Sequence, residues 1–226
     1  MRSLPPAGLY GILDTRWLAL EALPLAAYAY LEGGCRVLQL RMKDSSDQDR
    51  LAAQRAVSSV ASDWDEPVWI AINDRADLAR VLGHEAPANV RPILHLGQED
   101  VPPEVARRLV GQDMVIGLST HNDDQVARAS LEDVDYLGYG PVYPTLTKSN
   151  PDPTTGEDGL SRAIATAAKP VVAIGGVSRQ QAPSLRKKGA RWVVVVSDLL
   201  KDAELGDAAG SRVLAERVKH LQGSLA

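Results

Sequence analysis

Cations, carboxylates and hydroxyls recur in this chain just where short apolar runs end, and their types suit chemistry on a phosphorylated substrate. The run that starts at Val37 leads into Gln39-Leu40-Arg41-Met42-Lys43. On a strand, alternation places Gln39, Arg41 and Lys43 on one face, about 6–7 Å apart at each step. Two cations and a neutral amide in one register can grip an oxyanion. The same pattern also suits an amphipathic strand end with solvated charges. Asn73-Asp74 closes the run 68–72, and the run 93–96 carries His95 and leads into Gly97-Gln98-Glu99-Asp100. Asp74 and Asp100 can share a divalent cation, because Mg²⁺ is commonly held by one or two carboxylates plus substrate phosphates. They can equally cap the helices that follow. His95 is open between a packed core histidine and a substrate contact.

Further along, Ser119-Thr120-His121 ends one run, and Gly140-Pro141-Val142-Tyr143-Pro144-Thr145-Leu146-Thr147-Lys148 follows the next. Thr145, Thr147 and Lys148 put two hydroxyls and an ammonium at one loop root, enough to cradle a phosphate. Gly175-Gly176 and Val196-Ser197 end the last two runs. Glycines there either let backbone N–H groups approach a phosphate or make a tight turn. The chain shows no Ser-His-Asp order, no H-E-x-x-H and no strong nucleophile. Catalysis by positioning and charge neutralisation of a phosphorylated leaving group fits this inventory.

These residues need a scaffold that gathers strand ends. Apolar runs at 9–13, 37–40, 68–72, 93–96, 114–118, 136–138, 171–174 and 192–196 read as strands buried on both faces. Amphipathic stretches at 18–31, 48–62, 75–82, 103–110, 123–130, 160–168, 179–187 and 208–221 alternate with them. Eight units in 226 residues average about 28 residues each, the size of a compact βα repeat. A doubly wound sheet would carry a glycine-rich loop after the first strand, where this chain has Leu13-Asp14-Thr15. Its paired glycines follow the seventh strand instead, where a (β/α)₈ barrel holds phosphate. The expectation is an α/β protein, a single (β/α)₈ TIM barrel spanning 1–226, with a long loop at about 144–159.

Composition narrows the function classes. The chain is 45% hydrophobic and 24% charged, as globular domains are. A net charge of −4 and 4% aromatic residues without Phe give no basic or base-stacking surface. One cysteine, Cys35, allows no internal disulfide and no multi-cysteine metal site. No signal-peptide pattern or membrane-length apolar run is present. The expected partners are small molecules, with no nucleic acid and no membrane, in the cytoplasm. Homo-oligomerisation is left open.

Taken together and in order, these strand-end motifs resemble the thiamine-phosphate synthase family, from about residue 9 to residue 200. The matching pieces are Gln39–Lys43, Ile72-Asn73-Asp74, His95–Asp100, Gly117-Leu118-Ser119-Thr120-His121, Gly140–Lys148, Ile174-Gly175-Gly176-Val177 and Val196-Ser197. The resemblance implies a (β/α)₈ barrel that couples 4-amino-2-methyl-5-hydroxymethylpyrimidine diphosphate to a thiazole phosphate and releases diphosphate, with Mg²⁺ as cofactor. It implies that Gln39, Arg41, Lys43, Asn73, Ser119 and Lys148 hold the pyrimidine diphosphate, with His95 beside them. Arg41, Lys43 and Lys148 would offset the charge of the leaving group. Asp74 and Asp100 would ligate Mg²⁺. Thr145, Thr147, Gly176, Val196 and Ser197 would hold the thiazole phosphate. Two departures stand out. The segment 84–92 is longer and more polar than the family's turn, which could displace Asp100. Asp198 adds a carboxylate beside the phosphate site, which should weaken binding unless it points away. The alternatives are a thiazole tautomerase-like relative and a non-catalytic thiamine-phosphate binding module. The full set of cations and carboxylates argues against both.

Overall fold

A computed structural model of the chain describes residues 2–145, 152–201, 203 and 205–226. The Val-, Ile- and Leu-rich runs form parallel strands: β1 (Gly8–Leu9), β2 (Gly11–Asp14), β3 (Val37–Arg41), β4 (Val68–Asn73), β5 (Val90–Leu96), β6 (Val115–Thr120), β7 (Tyr136–Tyr139), β8 (Val171–Ala173) and β9 (Trp192–Val193). The sheet order is β1-β9-β8-β7-β6-β5-β4-β3-β2. Tyr10 alone separates β1 from β2, so they are two halves of one strand. One half pairs with the last strand (Gly8↔Trp192), the other with the second (Gly11↔Leu38). Tyr10 N donates to Val193 O at 3.0 Å across the join. The sheet thereby closes on itself as an eight-stranded parallel barrel.

The helices around it are α1 (Leu23–Glu32), α2 (Asp47–Ala61), α3 (Ala76–Glu85), α4 (Pro103–Val110), α5 (Asp123–Ala129), α6 (Gly156–Thr166), α7 (Ala182–Lys187), α8 (Ser197–Leu200) and α9 (Ala208–Ser224). Ser46, Asn122 and Asp207 cap α2, α5 and α9 by accepting backbone N–H bonds. Pro103 opens α4, where its missing N–H costs no helix bond. Several elements differ from the sequence reading: α1 starts at Leu23 rather than 18, after a 3₁₀ turn at Leu20–Ala22, α7 starts at Ala182 rather than 179, and β9 ends at Val193 rather than 196. α6 begins at Gly156, because Glu157 and Asp158 suit the positive end of a helix in its first turn. Residues 156–159 of the expected loop are therefore helical, and 146–151 of it lie outside the described residues. α8 is an added turn between β9 and α9.

Strand alternation divides the apolar residues into two cores. Val37, Trp69, Ala71, Ile93, Val115, Tyr136, Val172, Trp192 and Val194 fill the barrel interior with Tyr10 and Ile12. Leu38, Leu40, Ile70, Ile72, Leu94 and Ile116, the intervening positions, face the helices. Trp192 Nε1 donates to Pro6 O at 2.7 Å and Trp69 Nε1 to Ser3 O at 3.3 Å, so the N-terminal arm seals the barrel's lower end. The polar segment after α3 lies at that same end. Asn89 Nδ2 donates to Ala61 O and Trp64 O, and β5 then pairs with β4 in unbroken register from Val68↔Val90 to Asn73↔His95. The longer 84–92 segment thus leaves the opposite end of β5, which leads to Asp100, in register.

Candidate active site

The described residues among those singled out by type stand at or beyond the ends of β3 to β9. On β3, Val37 belongs to the interior core and Gln39 follows two residues on, 4% exposed. Arg41 is the last residue of the strand. Register sets it opposite Asp14, and Arg41 Nη1 donates to Asp14 Oδ2 at 2.8 Å. Asp14 is fully buried, and its other carboxylate oxygen accepts Arg16 N at 2.9 Å. A charge-assisted bond to a buried acceptor fixes the guanidinium more firmly than a solvated pair would. The sequence reading missed Asp14. It passed for a strand-terminal residue, because only the β2–β3 register reveals its partner.

Lys43, half exposed, lies beyond β3 with Nζ 3.7 Å from Asp74 Oδ2. Asp74 has φ +65°, a left-handed conformation unusual for a residue with a side chain. Its N donates to His95 O at 2.9 Å, so the strained turn is tied to the neighbouring strand. Asp100 Oδ2 accepts Gly97 N at 2.6 Å. Neither carboxylate caps a helix: Arg75 and Pro102 occupy the N-cap positions of α3 and α4. The Asp74 carboxyl is pushed up to about 6, by burial first and by the charge of Asp100 second, with Lys43 opposing. Two carboxylates that resist joint ionisation form a donor set suited to a divalent cation. Among the described residues no group of three or more His, Cys, Asp or Glu converges.

His95 and Ser119 meet deeper in the mouth, with His95 Nε2 3.0 Å from Ser119 Oγ. His95 Nδ1 lies 2.9 Å from Tyr136 Oη, so this histidine is both packed and adjacent to the site. Gln98 Nε2 donates to Ser119 O at 2.6 Å, joining the β5 loop to β6. Asn73 ends β4 directly opposite His95 in register.

Gly175 (φ +96°) and Gly176 (φ +66°) follow β8. Tyr143 N donates to Gly175 O at 2.9 Å, and a Cβ at Gly176 would stand 2.3 Å from Pro144 O. The glycine pair therefore serves as a tight joint between the β7 and β8 loops, and any phosphate-binding role is built on that joint. Thr145 is half-buried beside it; Thr147 and Lys148 lie outside the described residues. Val196 and Ser197, both partly exposed, begin α8. Asp198 accepts Arg179 N at 2.7 Å and Arg179 Nε at 3.1 Å. Burial opposes its ionisation, but these bonds outweigh burial and hold its carboxyl below the usual range. Its charge is thus matched by Arg179. A cleft of about 870 Å³ lies outside the barrel between α4 and α5, reaching the mouth at Gly97, Gln98 and Asp100.

The fold and these strand ends define a (β/α)₈ barrel whose mouth gathers cations, a carboxylate pair and a glycine-built loop joint. The family described as thiamine monophosphate synthase matches residues 9–199. A thiamine-phosphate synthase of Koribacter versatilis is 38% identical over 198 residues, 86% of this chain and 89% of that one. A thiamine-phosphate synthase of Clostridium botulinum is 32% identical over 207 residues, 92% and 97% of the two chains. Among solved structures, a thiamine phosphate pyrophosphorylase from Pyrococcus furiosus superposes with a TM-score of 0.71 at 27% identity, covering 95% and 96%. The chain belongs to the thiamine monophosphate synthase family.

Proposed function

We propose that this barrel joins 4-amino-2-methyl-5-hydroxymethylpyrimidine diphosphate to a thiazole phosphate. The bond between the pyrimidine methylene carbon and the diphosphate oxygen breaks, and diphosphate leaves with the electron pair. The thiazole nitrogen forms the new bond to that carbon, giving thiamine phosphate. The observation that carries this reading is the cluster at the mouth: Asp74 beside Asp100, Lys43 against Asp74, and Arg41 held by the buried Asp14. Arg41 and Lys43 would neutralise the departing diphosphate, together with Lys148. Gln39, Asn73, His95 and Ser119 would hold the pyrimidine. Thr145, Thr147, Gly176, Val196 and Ser197 would receive the thiazole phosphate.

Asp74 and Asp100 would hold Mg²⁺, which supplies further charge neutralisation on the diphosphate. Two protein carboxylates fit an ion that takes its remaining ligands from substrate oxygens and water. The aminopyrimidine stabilises positive charge on its methylene, so the reaction requires no protein nucleophile. The protein's part is to position the two substrates and stabilise the leaving group.

The test is product identification after incubation of the purified protein with both precursors and Mg²⁺. Thiamine phosphate and diphosphate in equal amounts are expected. Isomerised thiazole without coupling would replace this reading by a tautomerase, and binding without turnover would replace it by a binding module.

A further inference from the structure

Five side chains inside the barrel are joined end to end by hydrogen bonds. Gln39 Nε2 donates to Tyr10 Oη at 3.1 Å, and Tyr10 Oη lies 3.0 Å from Tyr136 Oη. Tyr136 Oη lies 2.9 Å from His95 Nδ1, and His95 Nε2 lies 3.0 Å from Ser119 Oγ. Tyr10, Gln39 and Tyr136 are 3%, 4% and 1% exposed. The chain therefore crosses the barrel interior and ends at β6 in the mouth. Gly117 is what admits its central ring: a Cβ there would stand 2.1 Å from Tyr136 Cζ.

The chemistry of the groups gives this chain a direction. An amide nitrogen donates and does not accept, so at its bond with Gln39 the Tyr10 oxygen is the acceptor. Tyr10 has one hydrogen of its own, and Tyr136 Oη is the acceptor within reach. Burial pushes both phenols well above their ordinary range, so both keep that hydrogen. Tyr136, already accepting from Tyr10, has His95 Nδ1 as the acceptor for its own. A buried hydroxyl left without an acceptor is costly, so this bond is made and Nδ1 is bare. The neutral imidazole then carries its proton on Nε2 and donates it to Ser119 Oγ. Ser119 accepts on the inner side, and its own hydrogen is available to the mouth.

We propose that Tyr10 and Tyr136 are positioning residues: the one-way hydrogen-bond chain they form with Gln39 sets His95 as the Nε2–H tautomer and makes Ser119 a hydrogen-bond donor to an acceptor atom of the substrate. The kinetic consequence rests on the synthase reading of Ser119; the tautomer does not.

Nitrogen-15 NMR of the histidine rings in the intact protein, without substrate, tests the chain directly. The His95 signals are identified by their loss in His95→Gln. A bare Nδ1 and a protonated Nε2 are expected in the wild type. Tyr136→Phe keeps the ring and removes the hydroxyl, and the bare Nδ1 of His95 should shift toward the position of an imidazole nitrogen that accepts no hydrogen bond. A wild-type His95 protonated on Nδ1 would overturn the proposal, and so would an Nδ1 signal that does not move in Tyr136→Phe. The wild-type spectrum decides the direction even where a variant folds poorly. In kinetics, Tyr136→Phe and Ser119→Ala should each lower kcat/KM about tenfold. The double variant should lose no more than Ser119→Ala alone; additive losses would break the link to Ser119. Absence of product from the wild type would count against the synthase reading, and the tautomer measurement would still decide the chain.

Discussion

Arg41 owes its fixed position to a residue that no local motif announces. Asp14 and Arg41 are 27 residues apart and meet because β2 and β3 pair with those two residues opposite each other. Composition and spacing marked Gln39, Arg41, Lys43, Asp74, Asp100 and Ser119, since each lies at or just beyond the end of an apolar run. They could not mark Asp14, Tyr10 or Tyr136, whose roles depend on what lies across the sheet. Replacing Asp14 by Asn keeps the shape and removes the charge. We expect KM for the pyrimidine diphosphate to rise about tenfold, with a stability loss of about 1.5–3 kcal/mol, the range for a hydrogen bond to a charged group. Initial-rate kinetics with each substrate varied in turn, together with thermal melts, check this. Unchanged kinetics would mean that Arg41 needs no anchor.

At the scale of strands, helices and loops, buried parallel strands were readable because strands covered on both faces are rich in Val, Ile and Leu and do not alternate with polar residues. All eight candidate runs lie within or overlap observed strands. Short pieces were less readable. α8 spans four residues, Ser197–Leu200, too few for a 3.6-residue period to register. The start of α6 was obscured because glycine and proline punctuation pointed to a longer loop, while its acidic first turn favoured a helix. The Gly175-Gly176 joint shows how two loops depend on one another. Gly176→Ala adds a side chain at φ +66° that would collide with Pro144 O. The substitution should cost about 1–3 kcal/mol and weaken use of the thiazole phosphate more than that of the pyrimidine diphosphate. Equal effects on both substrates would show that the joint does not serve one site alone.

The whole barrel acts as a closed, filled frame in which interior packing and mouth chemistry are coupled. Gly117→Ala would push a methyl group into the Tyr136 ring. Overpacking of this kind costs about 1–3 kcal/mol, and Tm should fall by about 2–4 °C for each kcal/mol in a chain of this size. A displaced Tyr136 would also release His95, so activity should drop more than stability alone explains. A Gly117→Ala variant with native Tm and native rate would contradict the coupling. The proposed synthase reading requires the carboxylate pair at the mouth to handle the leaving diphosphate. Its most direct test is the single-turnover rate of thiamine phosphate formation, measured against Mg²⁺ concentration in the wild type, Asp74→Asn and Asp100→Asn. The wild type should saturate with Mg²⁺ and stop on chelation. Each variant should lose at least about a hundredfold at limiting Mg²⁺, equivalent to about 2.7 kcal/mol in the barrier, and recover in part at excess. Wild-type rates that persist in chelator, or full activity of either variant at limiting Mg²⁺, would show that Asp74 and Asp100 do not act on the diphosphate through Mg²⁺.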